Sequence, residues 1–319
     1  MGYTTGAKVM ADIIDEISSG LIATPGGYWV DNDTTWNTVN RTASNARRSL
    51  KYTNGTEELY VALEVVNTSI QVYYDNNYST HSKGLRITLS ASWDPALHMY
   101  PSLNQQSFIQ FETWSYNAYR NNTVAQADLA IIQLTYYLWI ESNGFVIMAK
   151  PEPTGVDNAQ QSFFLCLERN PNKEYADGYS NFFAIMQQNI FHQGRAAYST
   201  SMFKGVLRPF AYQYPTNADN YDSITINGAG VSYWLSPSYS SYKSQGNGKV
   251  YYVKPIIHNH SGQLMPIMQS ELFFPFSEAV GLIDGDVIAI EGATTKYLCK
   301  SLDSPDSTGR INMAIKYVA

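Results

Sequence analysis

The sequence has few charged side chains and no long apolar segment. Charged residues make up 15% of its 319 residues, well below the roughly 25% of an ordinary soluble domain. No run approaches the ~18 uninterrupted apolar residues of a transmembrane helix, and the first residues carry no apolar signal-peptide core. We therefore expect a protein without a membrane span that is made in a cytoplasm.

The sequence also lacks a cluster of basic residues. The formal net charge is −6, whereas a protein whose main ligand is nucleic acid normally presents a cluster of Lys and Arg. The basic residues are scattered, and the one adjacent pair, Arg47 and Arg48, is expected at the surface. Nucleic acid is therefore not expected to be the main ligand.

Cysteine is scarce, with two residues in the whole chain, Cys166 and Cys299. Both lie inside apolar runs, far apart, so we expect two small buried side chains instead of metal ligands or nucleophiles. Nothing in the sequence supports a disulfide between them.

Catalytic motifs are absent from the sequence. It contains no nucleophile elbow and no phosphate-binding glycine loop. The segment most similar to a phosphate-binding loop, residues 227–230, leads into a strand-like segment, whereas a phosphate site needs a helix N-terminus. A glycosidase needs two carboxylates across a cleft, and Asp284 and Asp286 are close enough in sequence to be considered. Asp and Gly in this order are more simply explained as a β-turn. We expect no enzyme and no cofactor.

Two further groups could hold a metal ion. His258 and His260 would point to the same face of a strand, yet two imidazoles without a third ligand do not make a site, and two exposed turn histidines are the simpler interpretation. Residues 31–33 (Asp-Asn-Asp) resemble the start of a calcium loop, but the glycine and closing glutamate of that loop are missing. An Asx-rich turn is expected there.

Tyrosine, in contrast, is abundant. The chain has 25 Tyr and 14% aromatic residues. Aromatic enrichment with charge depletion is typical of interface cores, so the composition indicates permanent contact with neighbouring subunits. A large all-β monomer with uncharged polar loops is the alternative.

One helix is predicted near the start of the chain. Thr4 or Thr5 would cap it, and apolar residues recur from Val9 to Leu21 at i, i+3 and i+4 spacing. Asp12, Asp15 and Glu16 fall largely on the other face. The pattern predicts a helix that lies on a sheet or on a neighbouring subunit, with its acidic side in water.

The stretch 134–169 is the strongest strand signal. Two β-rich runs flank Ser142, Asn143 and Gly144, and Asn and Gly tolerate the positive φ of tight hairpin turns. The runs are apolar at nearly every position, which predicts strands covered on both faces. We expect this hairpin to be the centre of a scaffold, with these core or assembly residues: Trp139, Ile140, Phe145, Ile147 and Phe164.

The remaining pattern is mainly β. It predicts antiparallel sandwich or barrel-like sheets with an N-terminal amphipathic helix and long loops. Three parts are expected: residues 1–190 as the helix plus main β domain, residues 191–249 as a loop-rich insertion or arm, and residues 250–319 as a C-terminal β segment, with packing on the main domain as one option.

Two stretches carry a resemblance to a known class of proteins. One is residues 136–169, where the Trp-containing hairpin leads to a strand ending in Glu168 and Arg169. The other is residues 278–318, from the Asp284-Gly285-Asp286 turn to the closing strand. Both resemble structural proteins of tailed-bacteriophage virions, especially tail, baseplate and neck components.

The resemblance implies an assembly function without catalytic residues. It implies a structural subunit of the virion, made in the host bacterial cytoplasm, whose partners are other virion proteins and copies of itself. A receptor- or carbohydrate-binding tail protein is the alternative, because Tyr and Trp also line saccharide grooves. A cell-wall hydrolase ranks third, since no nucleophile, metal set or carboxylate pair stands out.

Overall fold

Five antiparallel sheets and one helix form the parts of the chain that can be described. The computed structural model describes residues 2–43, 46–55, 57–73, 79–90, 92–99, 106–113, 125–126, 130, 132–151, 162–169, 181–188, 202–206, 224–226, 241–243, 246, 249–252, 256–259, 268–276, 278, 281–303 and 310–317. The predicted turn at residues 227–230 and His260 lie outside these residues.

The helix α1 spans Met10–Ile22, and a short 3₁₀ helix spans Thr34–Asn37. The strands are β1 Gly2–Lys8, β2 Trp29–Asp31, β3 Ala46–Asn54, β4 Glu57–Tyr73, β5 Ser79–Ser90, β6 Gln106–Thr113, β7 Ala125–Gln126, β8 Leu134–Glu141, β9 Gly144–Pro151, β10 Phe163–Arg169, β11 Phe182–Gln188, β12 Met202–Val206, β13 Ile224–Ile226, β14 Ser241–Lys243, β15 Val250–Tyr252, β16 Ile256–Asn259, β17 Met268–Gln269, β18 Phe273–Pro275, β19 Val287–Ala289, β20 Lys296–Asp303 and β21 Arg310–Tyr317.

Three of the sheets build the main body. The central sheet has the order β1-β8-β9-β10-β11-β12, the outer sheet has the order β2-β3-β4-β5-β6-β7, and the C-terminal sheet has the order β18-β21-β20-β19. Two small sheets, β13-β16-β17 and β14-β15, complete the topology. The prediction of a mainly β, antiparallel fold with an N-terminal helix is confirmed.

The central sheet is covered on both faces. On one face, Ile140, Phe145 and Ile147 pack with α1 and the outer sheet in the largest apolar cluster. On the other face, Trp139 and Phe164 pack with residues of the C-terminal sheet. Alternate residues of a strand point to opposite faces, so a strand buried on both sides needs apolar residues at every position. This requirement explains the nearly continuous apolar runs.

The predicted helix is present, but its start differs. Thr4 and Thr5 do not cap it, because residues 2–8 form β1, which pairs antiparallel with β8. Thr5 donates a hydrogen bond to the carbonyl oxygen of Tyr136 (2.7 Å). Val9 occupies the cap position in an extended conformation without a side-chain hydrogen bond. The local Ser/Thr signal was outweighed by strand pairing with a distant segment.

The acidic side of α1 is also less solvated than predicted. Asp15 forms ion pairs with Arg41 and Arg48, and Glu16 accepts hydrogen bonds from Lys8 (2.7 Å) and the Tyr136 hydroxyl (2.5 Å). These contacts tie the helix to strands on both sides of it.

The hairpin at 142–144 is present with a two-residue turn. Glu141 pairs with Gly144, and the register continues through Trp139 opposite Val146. Gly144 has a φ of 146°, whereas His98 is the one non-glycine residue of the described chain with positive φ. Asn143 therefore does not supply the positive φ that the Asn-Gly pattern predicts, and Gly144 alone does.

The C-terminal sheet packs on the central sheet through the second apolar cluster. Strand β12, which falls within the predicted arm of residues 191–249, extends the central sheet by pairing with β11. The three-part division of the chain stays a prediction.

Candidate functional site

The five residues proposed from the sequence as core or assembly positions are all buried. Trp139 and Ile140 are each 6% exposed, Ile147 is 1% exposed, and Phe145 and Phe164 are fully buried. The Phe164 ring makes an edge contact with Phe273 of the C-terminal sheet, at 4.6 Å between centroids. These residues hold the layers together, and their role in assembly stays a prediction.

The histidine pair is only partly within the described chain. His258 lies on β16, where its backbone pairs with Thr225. His258 therefore lies on a strand and not in a turn. The described residues contain no group of three or more His, Cys, Asp or Glu side chains that could hold a metal ion. That the pair holds no metal stays a prediction, which direct metal analysis of the purified protein tests.

Asp31 ends β2, and the predicted Asx-rich turn is limited to Asn32 and Asp33, which lead into the 3₁₀ helix. Asp33 accepts a hydrogen bond from the backbone N–H of Thr35 (2.8 Å) and so caps the 3₁₀ helix. Its other carboxylate oxygen contacts Nδ1 of His98 (2.8 Å). Asp31 accepts two hydrogen bonds from the Arg48 guanidinium, both 3.0 Å. The carboxylates are thus occupied by protein groups.

Arg48 is a case that the sequence analysis placed wrongly. It is 8% exposed and bridges Asp31 to Asp15 of α1, so it fastens the helix to the outer sheet. Period-two alternation contained the signal, because Arg48 shares a strand face with Ala46 and Leu50, which are both core residues.

Asp284 and Asp286 form a turn, as the β-turn interpretation predicts. Asp284 accepts hydrogen bonds from Lys300 (2.8 Å) and the Ser301 backbone N–H (2.7 Å), and Asp286 accepts one from the Ile283 N–H (2.8 Å). Gly285 between them has a φ of 90°. Their carboxylates order the turn that precedes β19.

The cysteines are buried free thiols, as expected. Burial raises the pKa of the Cys166 thiol well above its ordinary value and that of Cys299 to about 12. Both side chains therefore stay protonated at neutral pH, and a protonated thiol is a poor nucleophile and metal ligand.

Glu168 is the most unusual ionisable group of the described chain. It is 2% exposed, it lies at the end of β10 on the face toward the C-terminal sheet, and burial raises its carboxyl pKa to about 8. Its oxygens accept hydrogen bonds from the Ser270 hydroxyl (2.6 Å) and the Glu271 N–H (2.7 Å). The sequence analysis noted it only as the end of a strand.

Of the five exposed large apolar side chains of the described chain, three lie on or beside edge strands, and the other two, Val39 and Leu97, lie in loops. Val30, on edge strand β2, is 47% exposed; Val287, on edge strand β19, is 48% exposed; and Ile283, just before β19, is 61% exposed. No local sequence signal marks these residues, because whether a strand is at an edge depends on the order of strands in space.

The β19 edge consists of Val287–Ala289 with the preceding Ile283. One row of paired residues crosses the C-terminal sheet from Phe273 through Ile315 and Leu298 to Val287. Phe273 and Ile315 are at most 1% exposed, Leu298 is half-buried and Val287 is 48% exposed. The central sheet thus covers this face only as far as β20, and β19 extends beyond it.

Among the residues that the structure describes, no strand pairs with the outer side of β19. Asp286 directs its carbonyl oxygen toward β20, where it accepts a hydrogen bond from the Cys299 N–H (2.8 Å). Because alternate residues of an antiparallel strand direct their N–H and C=O groups to opposite sides, Val287 and Ala289 direct theirs away from β20. An exposed strand of this kind is a template for pairing with another strand.

Comparison with protein-family models, curated proteins and solved structures returns no match for this chain. In the described part of the chain no helix is both long and apolar enough to cross a bilayer.

Proposed function

We propose that the protein is a structural subunit of a bacteriophage virion, in its tail, baseplate or neck, that works through protein–protein contacts. It has no enzymatic role in this proposal. The partners are other virion proteins and copies of the same chain, which contact it by adding strands to its open sheet edges.

The observation that carries the proposal is the β19 edge. Burial decreases along the row from Phe273 to Val287, so an apolar side chain is left uncovered beside backbone groups that point outward. A strand from a neighbouring subunit would satisfy both features, since its backbone would pair with Val287 and Ala289 and its side chains would cover Val287. Val30 on β2 is a second exposed apolar side chain on an edge strand.

Composition and sequence resemblance support the same proposal. The charged fraction of 15% and the 25 tyrosines suit a protein that is held in permanent contact with others. The segments that resemble virion proteins cover most of β8–β10 at the centre of the body and the strands β19–β21 of the C-terminal sheet. The virion assignment rests on this resemblance.

The first test compares Val287→Lys with Val39→Lys. A lysine on an edge strand opposes strand addition because its charge would have to be desolvated. Val39 is similarly exposed, at 39%, but lies outside the strands. We expect the unmodified protein and Val39→Lys to form higher oligomers in mass photometry and analytical ultracentrifugation, whereas Val287→Lys shifts toward monomer.

The second test concerns the virion. An antibody against the protein should label purified particles of the phage that carries the gene, and electron microscopy should place the label at the tail or neck. A protein that is strictly monomeric at high concentration and is missing from the particles would overturn the proposal. Specific hits on a glycan array together with a label at fibre tips would favour the receptor-binding alternative.

A further inference from the structure

The contact between the central sheet and the C-terminal sheet buries a carboxylate without a cationic partner in the described chain. Glu168 projects from β10 on the same face as Phe164 and Cys166, which belong to the apolar cluster shared by the two sheets. Its two oxygens accept hydrogen bonds from Ser270 and Glu271. Those residues begin the segment that leads into β18, so the carboxyl group contacts the chain where it enters the C-terminal sheet.

The charged groups that the structure describes around Glu168 do not neutralise it. Glu141, on β8, is a second carboxylate of the central sheet, and it accepts a hydrogen bond from Lys316 of β21 (2.6 Å). Lys316 is thus engaged by the other acid. Arg169, next in sequence, forms an ion pair with Glu57 (2.7 Å). Glu271 adds a third acidic group near Glu168.

We propose that Glu168 is a proton-controlled latch, which holds the C-terminal sheet against the central sheet while its carboxyl group is protonated and releases it when the group ionises. The protonated group satisfies Ser270 and the Glu271 N–H at little cost. An ionised group at the same place is desolvated and lies close to Glu141 and Glu271. A buried charge without a cation destabilises the arrangement that buries it.

The direction of the pH dependence follows from linkage. Burial raises the pKa of Glu168 from 4.5 in solvent to about 8 in the docked state, so the docked state binds more protons than the released state between these two values. Docking is therefore strongest at or below pH 4.5, weakens as pH rises toward about 8, and is constant above it. The proton goes to solvent, and no other reactant takes part.

The two cysteines report on release independently. Cys166 lies between the two sheets, whereas Cys299 lies on the opposite face of the C-terminal sheet among Phe274, Tyr297 and Ala314. Release of an intact C-terminal sheet exposes Cys166 and leaves Cys299 covered. Global unfolding exposes both.

The experiment is pulsed alkylation of the full chain with iodoacetamide, followed by mass spectrometry of each cysteine, at pH 6 and pH 9. The ratio of Cys166 to Cys299 labelling at each pH reduces the effect of pH on thiol chemistry. Two pH units between 6 and 8 correspond to roughly a hundredfold change in the docking equilibrium, so we expect the ratio to rise at least about tenfold. Glu168→Gln keeps the shape and the hydrogen-bonding groups and removes the titration, so its ratio should not change with pH.

Other results would overturn the latch. One is an equal ratio at both pH values in the unmodified chain, and another is a pH-dependent ratio that persists in Glu168→Gln. Equal acceleration at both cysteines would show global unfolding instead. The unmodified chain alone decides the matter if Glu168→Gln does not fold, and neither result depends on whether the protein assembles through the β19 edge.

Discussion

At the scale of single residues, the hairpin turn depends on Gly144. A Cβ atom placed at this position would overlap the carbonyl oxygen of Leu167 on the neighbouring strand, and the φ of 146° is one that side chains with a Cβ rarely adopt. Glycine is therefore required twice, by the turn and by the close approach of β10.

The prediction is that Gly144→Ala loses at least about 3 kcal/mol of unfolding free energy or fails to fold, because strain and backbone displacement add. Gly55→Ala is the matched control. Gly55 has a φ of 63° and open space around its Cα, so the loss should be about 1–2 kcal/mol. Urea denaturation followed by circular dichroism measures both, and equal losses would contradict the steric argument.

Some of these single-residue features can be predicted from local sequence signals, and others cannot. Asn143 and Gly144 marked the turn correctly, since a turn is a local event. Thr4 or Thr5 was predicted to cap the helix because no local signal indicates that this segment pairs with β8, which lies more than 120 residues away. Arg48 was expected at the surface from its charge, while its strand face placed it inside.

At the scale of elements, the central sheet is the part that the sequence described best. Continuous apolar runs in β8, β9 and β10 predicted burial on both faces, and both faces are covered. The long strand β4 has an irregular register between Val66 and Ile70. Such an irregularity interrupts the alternation of side chains, so periodicity alone does not indicate one continuous strand.

The prediction for this element is that Ile147→Asp and Trp139→Asp both impair folding, because each places a carboxylate in an apolar layer. Ile147 faces the helix and outer sheet, and Trp139 faces the C-terminal sheet. Val39→Asp, at an exposed site, serves as the control and should be neutral. Soluble yield and thermal unfolding measure the effect, and normal melting of either core variant would refute the scaffold interpretation.

At the scale of the whole molecule, the way the layers stack was beyond the sequence. Which sheet covers which face, and which strands lie at edges, depends on pairings between distant segments that no periodicity records. For this reason Val30, Ile283 and Val287 became candidates only in the structure, although composition alone had indicated contact with neighbours.

The prediction at this scale is that blocking both edges has a larger effect than blocking one. If β2 and β19 each receive a neighbour, Val30→Lys or Val287→Lys leaves small oligomers that end at the blocked edge, and the double variant is monomeric. Sedimentation velocity distinguishes these states. A double variant that assembles like the unmodified protein would show that the contacts lie elsewhere, and circular dichroism confirms that each variant is folded.

The pairing of β1 with β8 has a consequence for how the chain folds during synthesis. Strands β2 to β6 are consecutive neighbours in the outer sheet, so each can pair with the one before it as it leaves the ribosome. Strand β1 is made earlier than any of them, yet Thr5 and the Tyr136 carbonyl oxygen that accepts its hydrogen bond are 131 residues apart in sequence. Closing so long a loop is entropically costly and slow. Strand β1 is thus among the last strands to pair. The apolar face of α1, which follows it directly, needs protection from aggregation until β1 has paired with β8.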